Sequence, residues 1–481
     1  MSAISIPKVQ RALVMQGGGS LGAYELGVFK ALYKMLPHRD NEKFQGQTDN
    51  DNTPLLFDVL AGTSIGAINA AILANHVVKN KSWKGSWEIL NDFWNDVSTV
   101  STVEFDPTFS YRWNYYRYFN PDIATPEAAR RYYSAKEFLA SGTRNVFTTP
   151  KVISDSKFFD YLNSWYVYDN TPLRKLLEDK YLDRFPLKTT NKEQQPRLML
   201  VSVDVQEAAT VTFDSYSLKS EYGKYDEQSK TYEHTIDYPA GLTVDHVLAS
   251  ASVPINYDYT AISDTHNTRR RFWDGILLSN TPLRELLGQH KTFWEEEISE
   301  HDLLEGMWKS SNENPQKDTI NDTKKVPDLE VFIVNLWPSK EQKIPYDYDG
   351  QIDRKNDILY HDKTEYDQKV ALLVTDYIDL AKQIRNIALN HIDGNKENAF
   401  QEDLKKFLGN YAKSKFRTGE NRKYVDLLKG RFDVNNVVRI ERQDDPHTIS
   451  NKWVDFSSGT IKKMIADGYQ QALEQLKTIT V

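Results

Sequence analysis

The sequence contains no cysteine, which excludes disulfides, thiolate metal sites and cysteine nucleophiles together and fits a reducing compartment. It has no excess of positive charge: 60 Lys and Arg against 68 Asp and Glu give a net charge of -8, so there is no electrostatic case for nucleic acid as a partner. The opening MSAISIPKVQRALVMQ lacks the basic start and long apolar core of a signal peptide. A long clean apolar run is also missing. The best window, VLAGTSIGAINAAILANHVV at 59–78, is broken by Thr63, Ser64, Asn69, Asn75 and His76, and reads as a buried strand followed by a helix rather than a membrane span. There is no fixed-period repeat. NTPLRKLL at 170 returns as NTPLRELL at 280, and both read as helix starts with a polar cap and a proline in the first turn.

What is present is a globular composition, 40% hydrophobic and 27% charged over 481 residues, long enough for two domains or one large domain with insertions. Residues 11–16 read as a short buried strand. GAYELGVFKALYKML (22–36) reads as an amphipathic helix with Leu26, Phe29, Leu32, Tyr33 and Leu36 on one face, closed by a polar loop at 37–54. LLFDVLAG (55–62) is a second buried strand and SIGAINAAILANHVV a second helix. Strand, helix, strand, helix predicts a parallel α/β sheet. Residues 79–195 read as an insertion or cap. Its aromatic stretch FSYRWNYYRYFNP (109–121), with Arg112 and Arg117, reads as a satellite core, with contact to a lipid interface as the alternative. PRLMLVSVDVQ (196–206) and ATVTFDSY resume the sheet, and TVDHVLASASVP (243–254) is a helix ending at Pro254. RRRFWDGILLSNTPLREL (269–286) is strand, turn and helix start, and DLEVFIVNLWP (328–338) is one more buried strand. The charge-rich stretches 296–325 and 339–450, including the helical residues 366–392, read as peripheral decorations, and residues 457–476 as a docking helix.

Gly17-x-Gly19-x-x-Gly22 follows the first strand and opens a helix. Such a loop leaves backbone N–H groups uncovered where the helix dipole favours negative charge. A nucleotide phosphate and the oxyanion of an ester under attack both suit it. A dinucleotide fingerprint also needs an acid at the end of the second strand, where this chain has Ala61-Gly62-Thr63-Ser64. GTSIG (62–66) is instead a G-x-S-x-G between strand and helix, the pattern of a nucleophile elbow, whose turn is too sharp for side chains beside the serine. A serine nucleophile needs a base and an oxyanion donor. His391 and His447 are candidates for a late histidine, but that triad order belongs to a fold with several strands before the elbow, and one clear strand precedes residue 55. The acidic candidates are Asp274 in FWDGIL, at a strand-end turn, and Asp204 in VSVDVQ, which reads as a structural strand-end residue. A carboxylate with an ordinary pKa of about 4 is a weaker base than imidazole at about 6.5, so it needs a partly desolvated pocket.

GGGSLG, then GTSIG about forty residues later, then DG after a long interval resemble the patatin-like phospholipase family. GAYELGVFKAL, GAINAAILA, VLASASVPINY and NTPL add to the likeness, which is close over 10–75 and 197–286 and looser near 330 and in the final helix. The resemblance implies a three-layer α/β/α fold with a mainly parallel central sheet and large insertions. It implies a catalytic domain over 8–340 with a cap-like insertion at about 79–195, and a mainly helical, charged extension over 341–481 whose last helix docks on the core. The implied activity is lipid acyl hydrolysis of carboxylic esters, with Ser64 as nucleophile and Asp274 as general base. Backbone N–H groups of Gly17, Gly18 and Gly19 would form the oxyanion hole, with Gly22, Gly62, Gly66 and Gly275 supporting the motifs. It implies no metal or cofactor, a lipid or acyl-ester substrate, and a cytoplasmic enzyme with peripheral contact to a membrane. Two positions depart from the family pattern: Leu21 stands where the loop is usually basic, and Ile276 is the third letter of the common DGG. A nucleotide-binding or catalytically silent scaffold that reuses the glycine loop is the alternative from another class.

Overall fold

The computed structural model describes residues 6–43, 55–99, 107–119, 121, 125–143, 146–148, 168–216, 219–226, 231–263, 269–306, 325–341, 344–412, 423–443 and 449–479. Its frame is a central sheet of β1 (Val9–Met15), β2 (Val59–Thr63), β3 (Arg197–Asp204), β4 (Ala209–Asp214), β5 (Thr260–Ser263), β6 (Arg269–Asp274), β7 (Asp328–Asn335) and β8 (Val434–Glu441). Five strands run parallel in the order β8-β7-β1-β2-β3. The strands β4, β6 and β5 join antiparallel at the β3 end.

Parallel strands covered on both faces are written as continuous apolar runs, and β1 is one: Ala12, Leu13, Val14 and Met15 are all buried. Alternate residues point to opposite faces. Leu13 and Met15 therefore join the core under α1 (Ala23–Lys43) and α2 (Ile65–Asn80), while Ala12 and Val14 join Leu283 and Leu286 on the other side. The remaining helices used below are α3 (Ser86–Val97), α4 (Pro107–Phe119), α5 (Pro126–Ser141), α6 (Val244–Ser250), α7 (Leu283–Glu297), α8 (Tyr348–Tyr360), α9 (Glu365–His391) and α10 (Ser458–Ile479). The result is the three-layer α/β/α arrangement expected of the sequence.

Four local readings change. The helix α1 does not stop at 36 but continues through Pro37 to Lys43. Beyond the proline, Arg39 donates to Glu330 at 2.7 Å and Asp40 accepts from Arg11 at 3.1 Å, so ion pairs with the sheet hold the last turn; residues 44–54 of the expected loop lie outside the described residues. The helix α6 ends at Ser250, short of Pro254, because the residue before a proline is pushed out of the helical region and Ser252 turns its hydroxyl back to the Leu248 carbonyl at 2.8 Å. The aromatic stretch is no satellite core: on α4, Tyr111, Tyr115, Tyr118 and Phe119 are exposed, Tyr118 by 81%. Finally, residues 339–450 are not all decoration. They supply β8, whose Val438 and Ile440 are buried, so a boundary at 340 runs between two paired strands. The helix α10 packs on α1 where Gly27 and Gly468 face the partner helix, and a Cβ on either would strike a backbone carbonyl, of Ile465 or of Tyr24.

Candidate active site

Strand register brings the site together. β2 lies along β3 up to Thr63 opposite Val201. From the other direction, β6 runs along β3 and ends with Asp274 opposite Ser202. Because β4 occupies the far edge of β3 from Met199 to Asp204, β2 and β6 share the near edge and meet end to end. Ser64 and Asp274 are the next residue and the last residue at that junction. Thr63 Oγ1 ties it down by donating to the Ser279 carbonyl at 2.9 Å.

Ser64 has φ 58° and ψ -124°, a left-handed conformation that costs energy for a residue with a side chain and marks functional turns. The turn needs its glycines: a Cβ on Gly62 would lie 2.6 Å from Ala67 N and one on Gly66 2.7 Å from the Met15 carbonyl carbon. The strain is held from behind. Ser64 N–H donates to Ser250 Oγ at 3.0 Å, and that hydroxyl donates to the Val201 carbonyl at 2.6 Å. The Ser64 carbonyl starts α2 by accepting from Ala67 and Ile68 at 3.0 and 3.2 Å.

Asp274 is fully buried, and its Oδ1 accepts from Ile276 N at 2.9 Å. Its Oδ2 has no well-aligned donor among the described residues. Burial pushes the carboxyl up to about 7, opposed by the Ser64 hydroxyl and the Ile276 N–H. Ser64 is thus close enough to favour the carboxylate without closing a well-formed hydrogen bond. The rival Asp204 closes a turn instead, its Oδ1 accepting from Gln206 N at 2.8 Å and Glu207 N at 3.0 Å.

The glycine loop is divided. Of the three glycines expected to offer N–H groups, Gly17 has its own taken, donating to Asn280 Oδ1 at 3.0 Å, which leaves Gly18 and Gly19. These two line the cavity beside Ser64, and neither N–H donates to a described group. Gly19 has φ 57° and would drive a Cβ into the Trp453 carbonyl. A Cβ on Gly22 would lie 2.6 Å from Ile65, and one on Gly275 2.6 Å from the Val201 carbonyl. Leu21, at the usually basic position, is fully buried in the core.

Sequence reasoning missed two residues that shape this loop. Asn280 was expected as a helix cap, yet α7 starts only at Leu283; the Asn280 amide bridges Gly17 to the Tyr360 carbonyl, the second contact at 2.8 Å. In the twin NTPL at 170 the helix does begin at Thr171, with Asp169 accepting from Thr171 N at 2.9 Å. Gln16 is the second: Nε2 donates to Thr281 Oγ1 and the Tyr360 carbonyl at 2.9 and 3.0 Å, and Oε1 accepts from Leu336 N at 2.6 Å. A glutamine ending an apolar strand was the available signal.

Above Ser64 opens a cavity of about 400 Å³ with walls from the insertion (Phe138, Phe147), from α3 (Phe93) and from late segments (Trp337, Tyr360, Phe456). Among the described lining residues Lys355 is the one charged side chain, and none is a histidine. His391 is exposed at the end of α9, and His447 lies outside the described residues.

A family model described as patatin-like phospholipase matches residues 13–287, a span that holds the glycine loop, the elbow and Asp274. The chain belongs to the patatin-like phospholipase family. Membership implies a hydrolase acting on lipid acyl groups. Among solved structures it is similar to VipD from Legionella pneumophila, at 12% identity and a TM-score of 0.32, over 98% of this chain and 67% of that one. No curated protein matches. In this patatin-like protein β7, β8, α8 and α10 lie outside the matched span, although α8 and residues 453–456 wall the cavity. No described helix is long and apolar enough to cross a membrane.

Proposed function

We propose that the protein hydrolyses carboxylic esters of lipids through a Ser64–Asp274 dyad. One observation carries the reading: a strained serine elbow on the wall of an apolar cavity meets a fully buried carboxyl behind it. Ser64 Oγ attacks the acyl carbonyl and its proton passes to Asp274. The oxyanion is received by the N–H groups of Gly18 and Gly19. Asp274 hands the proton to the leaving alcohol, the acyl group stays on Ser64, and Asp274 then deprotonates the water that releases the fatty acid and restores Ser64. The loop is the larger electrostatic contributor, since an oxyanion donor is worth about 3 kcal/mol and the N-terminus of α2 about 1 kcal/mol or less. The Ile276 N–H fixes Oδ1, which leaves Oδ2 for proton transfer. These residues account for every proton moved, so the sequence of steps needs no metal or cofactor.

The apolar walls suit an acyl chain, and Lys355 offers one cation for an anionic head group. Exposed Tyr111, Tyr115, Tyr118 and Phe119 on α4, beside Arg112 and Arg117, suit a lipid–water interface, and we place the enzyme in the cytoplasm, working peripherally at a membrane. A phosphate-cradling role for the loop is disfavoured by Asn280 on Gly17 and by the apolar lining.

The test is fluorophosphonate labelling of the native protein in EDTA, followed by mass mapping. Label on Ser64 alone, lost in Ser64→Ala, is the expected result. Folded protein that takes no label, yet is protected from unfolding by a nucleotide, would refute the dyad in favour of the scaffold.

A further inference from the structure

The helix α9 is built inside out. Toward the protein it turns small or short residues such as Ala371, Val374, Ala381 and Ala388, with Ile378 the buried one. Toward solvent it turns Tyr366, Val370, Leu373, Tyr377, Leu380, Ile384 and Ile387, which are 40 to 73% exposed. These seven follow one another in alternating steps of four and three residues, the a/d repeat of a coiled coil. Val370, Tyr377 and Ile384 occupy one repeat position, and Tyr366, Leu373, Leu380 and Ile387 the other. Val370 and Ile384 at the first position and Leu373 and Leu380 at the second are the β-branched and leucine choices that favour a two-stranded pairing, with Tyr366, Tyr377 and Ile387 in the other places.

We propose that α9 is a dimerisation seam that packs against α9 of a second copy of this chain. Three observations select that occupant. First, the stripe keeps the a/d register along the helix, with Leu372 exposed beside it. That register is the pattern of a helix–helix seam, whereas a helix lying in lipid carries basic residues along its flanks. Here the flank at 369, 376, 383 and 390 reads Lys, Asp, Gln, Asn, all exposed. Second, that flank carries one cation and one anion, so two copies of the same face are not driven apart even though each chain has a net charge of -8. Third, the area is right. The helix is about 40 Å long, and its exposed stripe presents on the order of 700 Å² of apolar surface, close to the roughly 800 Å² per partner of a standard interface and above the patch size left bare on monomers. No described residue covers it. This inference does not depend on the catalytic reading.

Sedimentation equilibrium of the full chain over a concentration series tests it, comparing wild type with the double variant Leu373→Glu, Leu380→Glu. Wild type is expected at twice the chain mass and the variant at one chain mass, with the same circular dichroism spectrum and the same fluorophosphonate labelling, and with a melting temperature that depends on concentration in the wild type alone. Both side chains are exposed in a single copy, so folding is not at stake. A wild-type monomer overturns the proposal, as does a dimer that survives the double substitution. If the wild type is monomeric and co-sediments with phosphatidylcholine–phosphatidylglycerol vesicles while the variant does not, the stripe serves a membrane and the seam is refuted.

Discussion

Asp274 must be ionised to accept a proton, yet burial holds its carboxyl up to about 7. If it is the base, kcat/KM for a soluble ester rises with pH through about 7 and levels off above it. A rate flat from acid to alkaline pH would remove Asp274 from that role. Stability runs the opposite way. The folded pKa lies above the ordinary 3.8, so the folded state holds the proton more tightly than the unfolded chain. That contribution is complete below about pH 4 and is lost as pH rises through about 7. Asp274→Asn, which cannot ionise, should therefore melt higher than wild type at pH 8, by on the order of a few kcal/mol, and by much less at pH 5. Lys355→Gln should raise KM for anionic phospholipids about fivefold, the scale of one exposed ion pair, and leave neutral esters unchanged; equal kinetics on both substrates would show that Lys355 meets no head group. The meeting of Ser64 and Asp274 at one junction was legible in the sequence because each stands beside glycines at a strand end. Asn280 was not, since the same four letters start a helix at 170 and only the distant Gly17 decides what they do.

Among the elements, legibility followed burial. The strands β1, β2 and β3 are covered on both faces and so carry the apolar runs Ala12–Met15, Val59–Ala61 and Leu198–Val201. The strand β8, VNNVVRIE, lies at the sheet edge and mixes polar with apolar residues, which hid it within a charged stretch. The end of α1 was hidden differently, because its last turn is held by Arg11 and Glu330 of the sheet rather than by local sequence. Close backbone approaches make two elements sensitive to a single methyl group. Gly66→Ala would press against the main chain of Met15 and Gln16, and should cost about 2 kcal/mol or more because a backbone cannot rotate away. Gly468→Ala should force α10 off α1 with a loss of about 1 to 3 kcal/mol. Urea unfolding measures both, and wild-type midpoints would mean these contacts are looser than described.

For the whole molecule, the family resemblance is contiguous while the site is not. Residues 13–287 carry the motifs, but the cavity and the loop are completed by Leu336 and Trp337 just past β7, by α8 and by residues 452–456. Lys452 is the main tie. It is buried, with Nζ 2.6 Å from Asp357 and 3.0 Å from Asp353 of α8. Removing one partner of a buried ion group leaves charge uncompensated, so Lys452→Met should lose about 3 kcal/mol and label more slowly at Ser64, with partial recovery when Asp353→Asn is added; a variant as stable as wild type would show the tie is not needed. The same region has a consequence in time. Ser20 Oγ donates to the Lys452 carbonyl at 2.9 Å across 432 positions of sequence, and Gly19 rests against Trp453. At ribosomal speeds that separation is roughly 20 to 90 s of synthesis. The glycine loop waits for residues made 432 positions later before it takes shape, so a chain still short of Lys452 carries Ser64 beside an unfinished loop.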